Sequence, residues 1–229
     1  MASIPYRMWS SYYLLLLSQQ DIKPNTVLDV CCGTGTVAEL LHDEGLEMTG
    51  IDLSPAMIQR ARAKAAEKEK PIRYEVADAT SFDLGVQFDA AYSFFDSLNY
   101  ITTAEGLERA IQQIANHVKP GGSFVFDLNT TYAFEEELFT QSNLSKNAKV
   151  RYLWEGDWNP WTKIITVNMK FWHGDDEYHE VHVQRAHSEA EVRLFLNEAG
   201  FEDVRMYNSY TLDPARRVSD RVHYTAVKR

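Results

Sequence analysis

Short apolar segments alternate with segments of helical period over the first two thirds of the chain, and this alternation constrains the fold most. Apolar runs end at Val30 and at Ile51. The first precedes a segment with helical spacing of its apolar residues, and the second precedes a segment rich in Ala, Lys and Glu, which favour helix. Ser54-Pro55 places a hydroxyl cap before a proline at the first helical position, which predicts a helix start. Repeated strand–helix units of this length require right-handed crossovers and predict a parallel sheet.

The predicted elements follow in order along this region. The strands are 27–30, 48–51, 72–77, 88–94 and 123–128, and the helices are 36–44, 55–70 and a third that begins at Thr102 and runs to His117. The last of these helices is expected to open with a capping box at Thr102–Glu105, and Pro120-Gly121-Gly122 is expected to form a turn.

The pattern changes after the fifth predicted strand. Residues 132–147 are expected to form a helix or loop lid. Apolar and polar side chains alternate over 165–171, as in a strand with one buried face, and 178–185 returns after a turn at Gly174, so we expect residues 148–186 to form an antiparallel insertion. Ser188 then opens a second capping box and its helix. The final strands, 204–210 and 222–227, are joined directly, so one of them must run antiparallel.

Length, charge and cysteine content narrow the class of protein. The 229 residues suit one domain, 1–229, that carries the antiparallel insertion 148–186. A net charge of −10 disfavours nucleic acid as a partner, because an acidic surface repels phosphates. The longest apolar run, 12–17, is too short to span a membrane and lacks a signal cleavage site, so it predicts a buried helix face. The only cysteines, Cys31 and Cys32, are adjacent, which argues against a disulfide framework and fits a cytoplasmic location.

The loop after the first strand, Gly33-Thr-Gly35-Thr-Val-Ala38, loosely matches the dinucleotide fingerprint. Asp29, just before it, would repel a pyrophosphate but attract an ammonium group. S-adenosylmethionine carries an ammonium and a sulfonium and no phosphate; the alternative is that Asp29 only caps its own loop.

Asp52 lies nineteen residues after Gly33, a spacing that suits a carboxylate accepting both ribose hydroxyls, with a helix N-cap as the alternative.

A third carboxylate follows the third predicted strand. Asp78 can accept from an adenine amino group, and Leu53, Met57 and Ala79 can sandwich the ring. The alternatives are a turn residue for Asp78 and ordinary helix packing for Met57.

Together these motifs resemble the class I S-adenosylmethionine-dependent methyltransferases. The motifs are Val-Leu-Asp29-Val-Cys-Cys-Gly33-Thr-Gly35, Gly-Ile-Asp52-Leu-Ser-Pro-Ala-Met57, Ala77-Asp78-Ala79, Phe88-Asp89-Ala and Val118-Lys-Pro-Gly-Gly-Ser-Phe. The resemblance covers about residues 25–130, and Ala199-Gly200-Phe201 fits the last helix-to-strand turn of the family. It implies an α/β fold with a Rossmann-like, mostly parallel seven-stranded sheet whose last strand is antiparallel; the sequence adds a small antiparallel β insertion.

The resemblance also implies residue roles. Asp29 and the backbone around Gly33 and Gly35 would hold the methionine part of S-adenosyl-L-methionine, Asp52 the ribose, and Asp78 the adenine. Phe94 would close over the cofactor. Cys31 stands where the family most often has its first loop glycine, and its small thiol is expected to fit beside the methionine part.

The acceptor is less constrained, because a sulfonium is already an activated leaving group and a base is needed only for a protonated nucleophile. Residues 94–100 read Phe-Phe-Asp-Ser-Leu-Asn-Tyr rather than the Pro-Pro-Tyr motif of enzymes that methylate exocyclic amines of bases, and no Pro-Cys pair is present. We therefore predict methyl transfer to N or O of a small molecule. The alternatives are an NAD(P)-dependent oxidoreductase, a protein methyltransferase and a non-catalytic cofactor-binding module.

His187, where the insertion returns to the core, is the candidate base, and Tyr13 and Asn129 are weaker catalytic candidates. The histidines of the insertion lack metal-ligand spacing, so no metal site is predicted. Four of the five tryptophans lie in the insertion, where they can clamp an acceptor or else form its own core or a homodimer contact: Trp154, Trp158, Trp161 and Trp172.

Overall fold

Two β-sheets and six α-helices organise the computed structural model, which describes residues 5–145, 148, 150–174 and 176–229. The strands are β1 (Thr26–Val30), β2 (Glu47–Asp52), β3 (Arg73–Val76), β4 (Phe88–Ser93), β5 (Val118–Asn129), β6 (Gln141–Asn143), β7 (Arg151–Asn159), β8 (Ile164–His173), β9 (Asp176–Arg185), β10 (Phe201–Asn208) and β11 (Arg221–Lys228). The helices are α1 (Tyr6–Gln19), α2 (Thr36–Asp43), α3 (Pro55–Glu67), α4 (Ala104–His117), α5 (Thr131–Glu135) and α6 (Glu189–Glu198), and Ser97–Tyr100 forms a 3₁₀ turn.

The larger sheet has seven strands in the order β10-β11-β5-β4-β1-β2-β3. Neighbouring strands from β5 to β3 pair in parallel, whereas β11 is antiparallel to both β5 and β10. The smaller sheet is antiparallel, in the order β6-β7-β8-β9. The predicted fold class, a Rossmann-like sheet with its last strand antiparallel plus an antiparallel β insertion, is confirmed.

Several local predictions need correction. The capping box at Thr102 is wrong: Thr103 is the N-cap of α4, and its side chain accepts from Gly106 N at 3.1 Å, a position with no side chain to reach back. The predicted turn at 120–122 lies within β5 as an irregularity of the strand: Phe88 pairs with Val118 but Ala90 with Ser123, and Gly121 has a left-handed φ of 78°. The smaller sheet begins at Gln141, within the predicted lid 132–147. The capping box at Ser188 is confirmed.

The boundaries of the insertion remain predictions. Residues 146, 147, 149 and 175, which fall in the predicted lid 132–147 and in the insertion 148–186, lie outside the described residues. That the chain is one domain, with residues 148–186 acting as its lid, is likewise a prediction.

The hydrophobic core covers both faces of the larger sheet. On one face α1 buries the predicted apolar run, with its tyrosines and leucines almost inaccessible: Tyr12, Tyr13, Leu16 and Leu17. Within the described part of the chain no helix is long and apolar enough to cross a membrane. The core therefore holds the carboxyl ends of the parallel strands at one edge of a rigid sheet.

Candidate active site

A cavity of about 550 Å³ lies at this edge of the sheet. The strand order reverses there: β2 pairs with one side of β1, and β4 pairs with its other side. Such a reversal of strand order leaves a crevice that commonly binds ligands in α/β proteins. The lining residues follow the carboxyl ends of four strands, at 31–34, 52–54, 77–79 and 94–95. The volume is typical of a small-molecule site.

Nine of the ten residues predicted to bind a cofactor line this cavity. They are Asp29, Cys31, Gly33, Asp52, Leu53, Met57, Asp78, Ala79 and Phe94. The exception is Gly35, which lies in the same loop but outside the lining. The spacing of residues at strand ends thus brings distant segments of the chain to one cavity.

Gly35 shapes the loop instead of facing the cavity. It is the N-cap of α2 with a left-handed φ of 72°, a conformation that costs glycine little. A Cβ at this position would overlap with the hydroxyl of Tyr74, which donates to the Gly35 carbonyl at 3.3 Å. Cys31 has a left-handed φ of 64°, a backbone conformation that glycine adopts readily and other residues adopt rarely.

Asp29, Asp52 and Asp78 form the acidic end of the cavity, and of these three carboxylates only that of Asp29 is buried. Its residue is 3% exposed, and burial raises its pKa to about 7. The neighbouring Tyr92 hydroxyl opposes that rise, whereas the negative charge of Asp52 adds to it. Among the described residues Asp29 forms no salt bridge, so a cationic ligand would supply the partner that this carboxylate lacks.

Asp52 is oriented by backbone amides on both sides. Gly33 N donates to its Oδ2 at 2.8 Å, and Ser54 N donates to its Oδ1 at 2.9 Å. The N-cap of α3 is Ser54, so the alternative of Asp52 as the helix cap is wrong. Each carboxylate oxygen keeps a second lone pair for a ligand hydroxyl.

Asp78 combines the two roles that its sequence position suggested. Its Oδ1 accepts from the amide and from the hydroxyl of Thr80, both at 2.8 Å, which fixes its own turn. It also lines the cavity.

Cys31 and Cys32 line the cavity as protonated thiols. Burial, followed by the negative charges of Asp52 and Asp29, raises the pKa of Cys31 to about 12. Burial and the same two carboxylates raise the pKa of Cys32 far above its usual range. Neither thiol is a nucleophile at neutral pH.

A second part of the cavity lining, called its aromatic end, consists of aromatic side chains. Its wall comprises Tyr6 of α1, Phe94 and Phe95 after β4, and Tyr100 of the 3₁₀ turn. The Tyr6 and Phe95 rings meet edge-to-face with centroids 5.9 Å apart. This wall provides flat apolar surface next to the acidic end.

The segment that carries this wall, 94–101, is fastened to the smaller sheet. Gln184 Nε2 of β9 donates to Asp96 Oδ2 at 2.5 Å, and Asn99 Nδ2 donates to the Arg185 carbonyl at 2.9 Å. Phe95 and Asp96 both have left-handed φ values, 65° and 50°, a strained pair that these contacts hold in place.

Asp96 also belongs to a buried ion cluster with Asp127 and Arg221. Arg221 Nη2 donates to Asp96 Oδ1 at 2.8 Å, and Nη1 contacts Asp127 Oδ2. The Asp96 amide donates to the same Asp127 oxygen at 3.1 Å. Arg221 thus joins β11 to β5 and to the wall segment.

Comparison with known proteins shows which family of enzymes this chain resembles. Residues 27–122 match the sequence profile of a family described as a methyltransferase domain. Residues 27–122 are therefore a methyltransferase domain, and the whole chain is similar to methyltransferases in sequence and to an S-adenosylmethionine-dependent methyltransferase in fold. The alternative of an NAD(P)-dependent oxidoreductase is therefore wrong.

Similar proteins extend this match. The putative methyltransferase YqeM of Bacillus subtilis (strain 168) is 28% identical over 235 residues, covering 100% of this chain and 92% of that protein. A dTDP-3-amino-3,4,6-trideoxy-alpha-D-glucopyranose N,N-dimethyltransferase from Streptomyces venezuelae is 33% identical over 112 residues, or 49% of this chain and 46% of that protein. The crystal structure of an S-adenosylmethionine-dependent methyltransferase from Clostridium acetobutylicum ATCC 824 superposes with a TM-score of 0.90 at 23% identity, covering 99% of this chain and 93% of that one.

The three residues predicted to be catalytic in this methyltransferase do not line the cavity. Tyr13 is fully buried, with its ring 4.8 Å from that of Tyr92. Asn129 is buried, and its backbone N–H donates to Asn99 Oδ1 at 3.0 Å. Their contacts support the walls of the cavity and give no basis for a catalytic role.

His187 is engaged through both ring nitrogens. Arg185 Nη1 donates to its Nδ1 at 2.6 Å, so Nε2 carries the proton that is donated to the Ile101 carbonyl at 2.9 Å. Burial, followed by the positive charge of Arg185, lowers the pKa of His187 to about 4. The geometry is that of a structural histidine, which fixes the end of the wall segment.

We expect His187→Ala to leave the affinity for S-adenosylhomocysteine within twofold of wild type, as measured by calorimetry. The variant should lose about 2 kcal/mol of unfolding free energy at pH 7, because it leaves buried groups unpaired. Folded His187 binds fewer protons than unfolded His187 between pH 4 and 6.5, so wild-type stability should fall as the pH drops through that range. The variant should lack this contribution; an unchanged pH dependence would refute the assignment.

The tryptophans of the insertion have different environments. Trp158 packs on Phe134 with centroids 5.5 Å apart, and Trp154 lies 5.4 Å from Tyr152, so both contribute to the core of the smaller sheet. Trp172 donates to Glu177 at 2.6 Å, and Trp161 is 93% exposed. Among the described residues no histidine, cysteine or carboxylate cluster has the arrangement of a metal site.

Proposed function

We propose that this methyltransferase methylates a small molecule, at the nitrogen of an amine. The observation that carries the proposal is a single cavity with a buried acidic end, where Asp29 lies, and an aromatic end, which the smaller sheet supports through Gln184. A cavity of about 550 Å³ suits a cofactor and a small acceptor and not a polymer.

The acidic end has the donor set that S-adenosylmethionine requires. We infer that Asp29, buried without a cationic partner among the described residues, holds the α-ammonium group, with Cys31 and the backbone at Gly33 beside it. Asp52, held by two amides, would accept the ribose hydroxyls, and Asp78 the adenine amino group.

The remaining predicted residues have apolar roles. Leu53 is 69% exposed and Met57 is 45% exposed, which is unusual for large apolar side chains and supports a role as platforms for the adenine. Ala79 and Phe94 would complete the enclosure, and Gly35 would hold the loop in shape.

When bound, the cofactor supplies an activated methyl group on a sulfonium, so the chain needs to hold and deprotonate the nucleophile. The aromatic faces of Tyr6, Phe95 and Tyr100 favour a cationic amine, as does the negative net charge of the chain. The Streptomyces relative, whose name states N,N-dimethylation of an amino sugar, supports nitrogen over oxygen.

Calorimetry and a turnover panel test the proposal. S-adenosylhomocysteine should bind with a stoichiometry of one, and a dTDP-amino sugar or another small amine should be methylated in preference to hydroxyl analogues and peptides. Turnover of peptides alone would favour a protein methyltransferase. Cofactor binding without turnover of any acceptor would favour a non-catalytic module. The predicted cytoplasmic location and the predicted homodimer await separate tests.

We expect Asp52→Ala to weaken S-adenosylhomocysteine binding more than tenfold, because a charge-assisted pair of hydrogen bonds is lost. Asp83→Ala is the matched control, since the Asp83 side chain is 87% exposed and outside the cavity, and it should leave the affinity unchanged. Equal affinities of the two variants in calorimetry would contradict the ribose assignment.

A further inference from the structure

Three side chains link the cavity to the smaller sheet in a continuous hydrogen-bonded row. Tyr100 is one of the lining residues of the cavity, and its hydroxyl lies 2.5 Å from Nδ1 of His182. His182 Nε2 lies 3.1 Å from Oε2 of Glu180. A tyrosine, a histidine and a carboxylate therefore lead from the aromatic end of the cavity to the solvent-exposed edge of β9.

The alternation of β9 produces this row. Side chains two residues apart on a strand lie on the same face, so Glu180, His182 and Gln184 face the wall segment together. Gln184 fixes the register by its contact with Asp96. His179, on the opposite face, forms a comparable contact of 2.5 Å with Glu177, away from the cavity.

The direction of the hydrogen bonds follows from the chemistry of the groups. Burial, followed by the charge of Asp96, raises the pKa of Tyr100 to about 12, so its phenol is protonated at neutral pH. Tyr100 therefore donates to Nδ1 of His182, and the Nε2 proton of His182 is donated to Glu180. A phenol of this pKa is a poor base alone and needs a partner that takes its own proton.

We propose that Tyr100, His182 and Glu180 form a proton relay that removes the proton from the acceptor nitrogen. This rests on the proposed function. One N–H proton of the acceptor ammonium group passes to the Tyr100 oxygen while the Tyr100 hydroxyl proton passes to Nδ1 of His182. The nitrogen keeps the electron pair with which it attacks the methyl group. Glu180 stabilises the imidazolium that results, and the exposed side of His182 returns the proton to water.

The charged groups that face the relay are consistent with this direction of transfer. Asp96 and Glu180 lie near Tyr100 and both are acidic, so they stabilise the positive charge that the relay gains when it takes the proton. Asp96 itself is held by Arg221 and Gln184, so it is not free to take the proton. Tyr100 is the catalytic residue of the relay, and His182 and Glu180 are positioning residues.

Kinetics on Tyr100→Phe and His182→Gln, with His179→Gln as the matched control, test the relay. With the dTDP-amino sugar as acceptor at pH 7, we expect kcat to fall about 100-fold in Tyr100→Phe and about tenfold in His182→Gln, and less than twofold in the control. Both losses should shrink as the pH approaches the pKa of the acceptor amine, which then arrives unprotonated. S-adenosylhomocysteine affinity should stay within twofold in all variants. A loss that is equal at every pH would overturn the relay.

A readout independent of turnover separates this inference from the proposed function. Nitrogen NMR of His182 should show a ring proton on Nε2 and a hydrogen-bond-accepting Nδ1, and Tyr100→Phe should shift the Nδ1 resonance. A proton on Nδ1, or no response to Tyr100→Phe, would overturn the relay even if amines are substrates. If the amino sugar is not methylated but the tautomer is as expected, the proposed acceptor is wrong and the hydrogen-bonded row stands.

Discussion

Asp29→Asn is expected to weaken S-adenosylhomocysteine binding by about 100-fold, measured by calorimetry at pH 8. The amide keeps the size of the carboxylate and loses its charge, so the ligand ammonium would be buried without a counter-ion. Truncating one partner of a buried charged pair typically costs several kcal/mol, and about 2.7 kcal/mol corresponds to 100-fold. An affinity within threefold of wild type would show that Asp29 does not hold the ammonium.

The pH dependence of binding makes the same test sharper. Because the pKa of Asp29 is raised to about 7, ligand must compete with a proton below that pH. Wild-type affinity should fall about tenfold per pH unit below pH 7 and level off above it, whereas Asp29→Asn should show no such slope. In the absence of ligand, folded Asp29 binds more protons than unfolded Asp29 between about pH 4 and 7. Its contribution to stability therefore falls as the pH rises, and the variant should be no less stable than wild type at pH 7.

Arg221→Met should lower the unfolding free energy by about 3 kcal/mol at pH 7.5, the effect expected when one partner of a buried ion cluster is removed. Arg221 is the cation between Asp96 and Asp127, and the Asp127 residue is fully buried. Urea denaturation measures the change. Arg229→Met is the matched control, because its ion pair with Glu202 is exposed and should contribute little.

The loss in Arg221→Met should depend on pH. Burial already raises the pKa of Asp96, and Arg221 opposes that rise, so its removal should raise the pKa of Asp96 further. The folded variant then binds protons more readily than the unfolded chain, and its stability relative to wild type should recover as the pH falls from 7.5 to 5. An equal loss at both pH values would indicate a packing defect and not unpaired carboxylates.

The larger sheet could be predicted because its signals are local. The apolar run before Asp29, the cap at Ser54 and the alternation of strands and helices each act within a few residues. The capping box at Thr102 failed because two adjacent threonines offered two registers, and only packing selects Thr103. The strand β6, three exposed residues long, has too little side-chain pattern to be detected.

The acidic end of the cavity follows from the same local signals, whereas the aromatic end does not. Residues at the carboxyl ends of parallel strands must meet, which is why Asp29 and Asp52 line one cavity. Tyr100 and His182 are 82 residues apart and meet only because β9 packs on the wall segment. The position of His187 in the chain predicted a catalytic base, yet the guanidinium of Arg185 donates a hydrogen bond to its Nδ1, which leaves that nitrogen no free lone pair. The sequence signal that could have indicated this part of the site is the spacing of Glu180, His182 and Gln184, which places all three on one face of a strand.

The raised pKa values of Cys31 and Cys32 have a consequence for the survival of the enzyme. A thiolate is a strong nucleophile, and one that lined a cavity holding an activated methyl donor would be alkylated and would block the site. Burial beside two carboxylates keeps both sulfurs protonated, so the chain can carry two cysteines in the loop after β1 without inactivating itself.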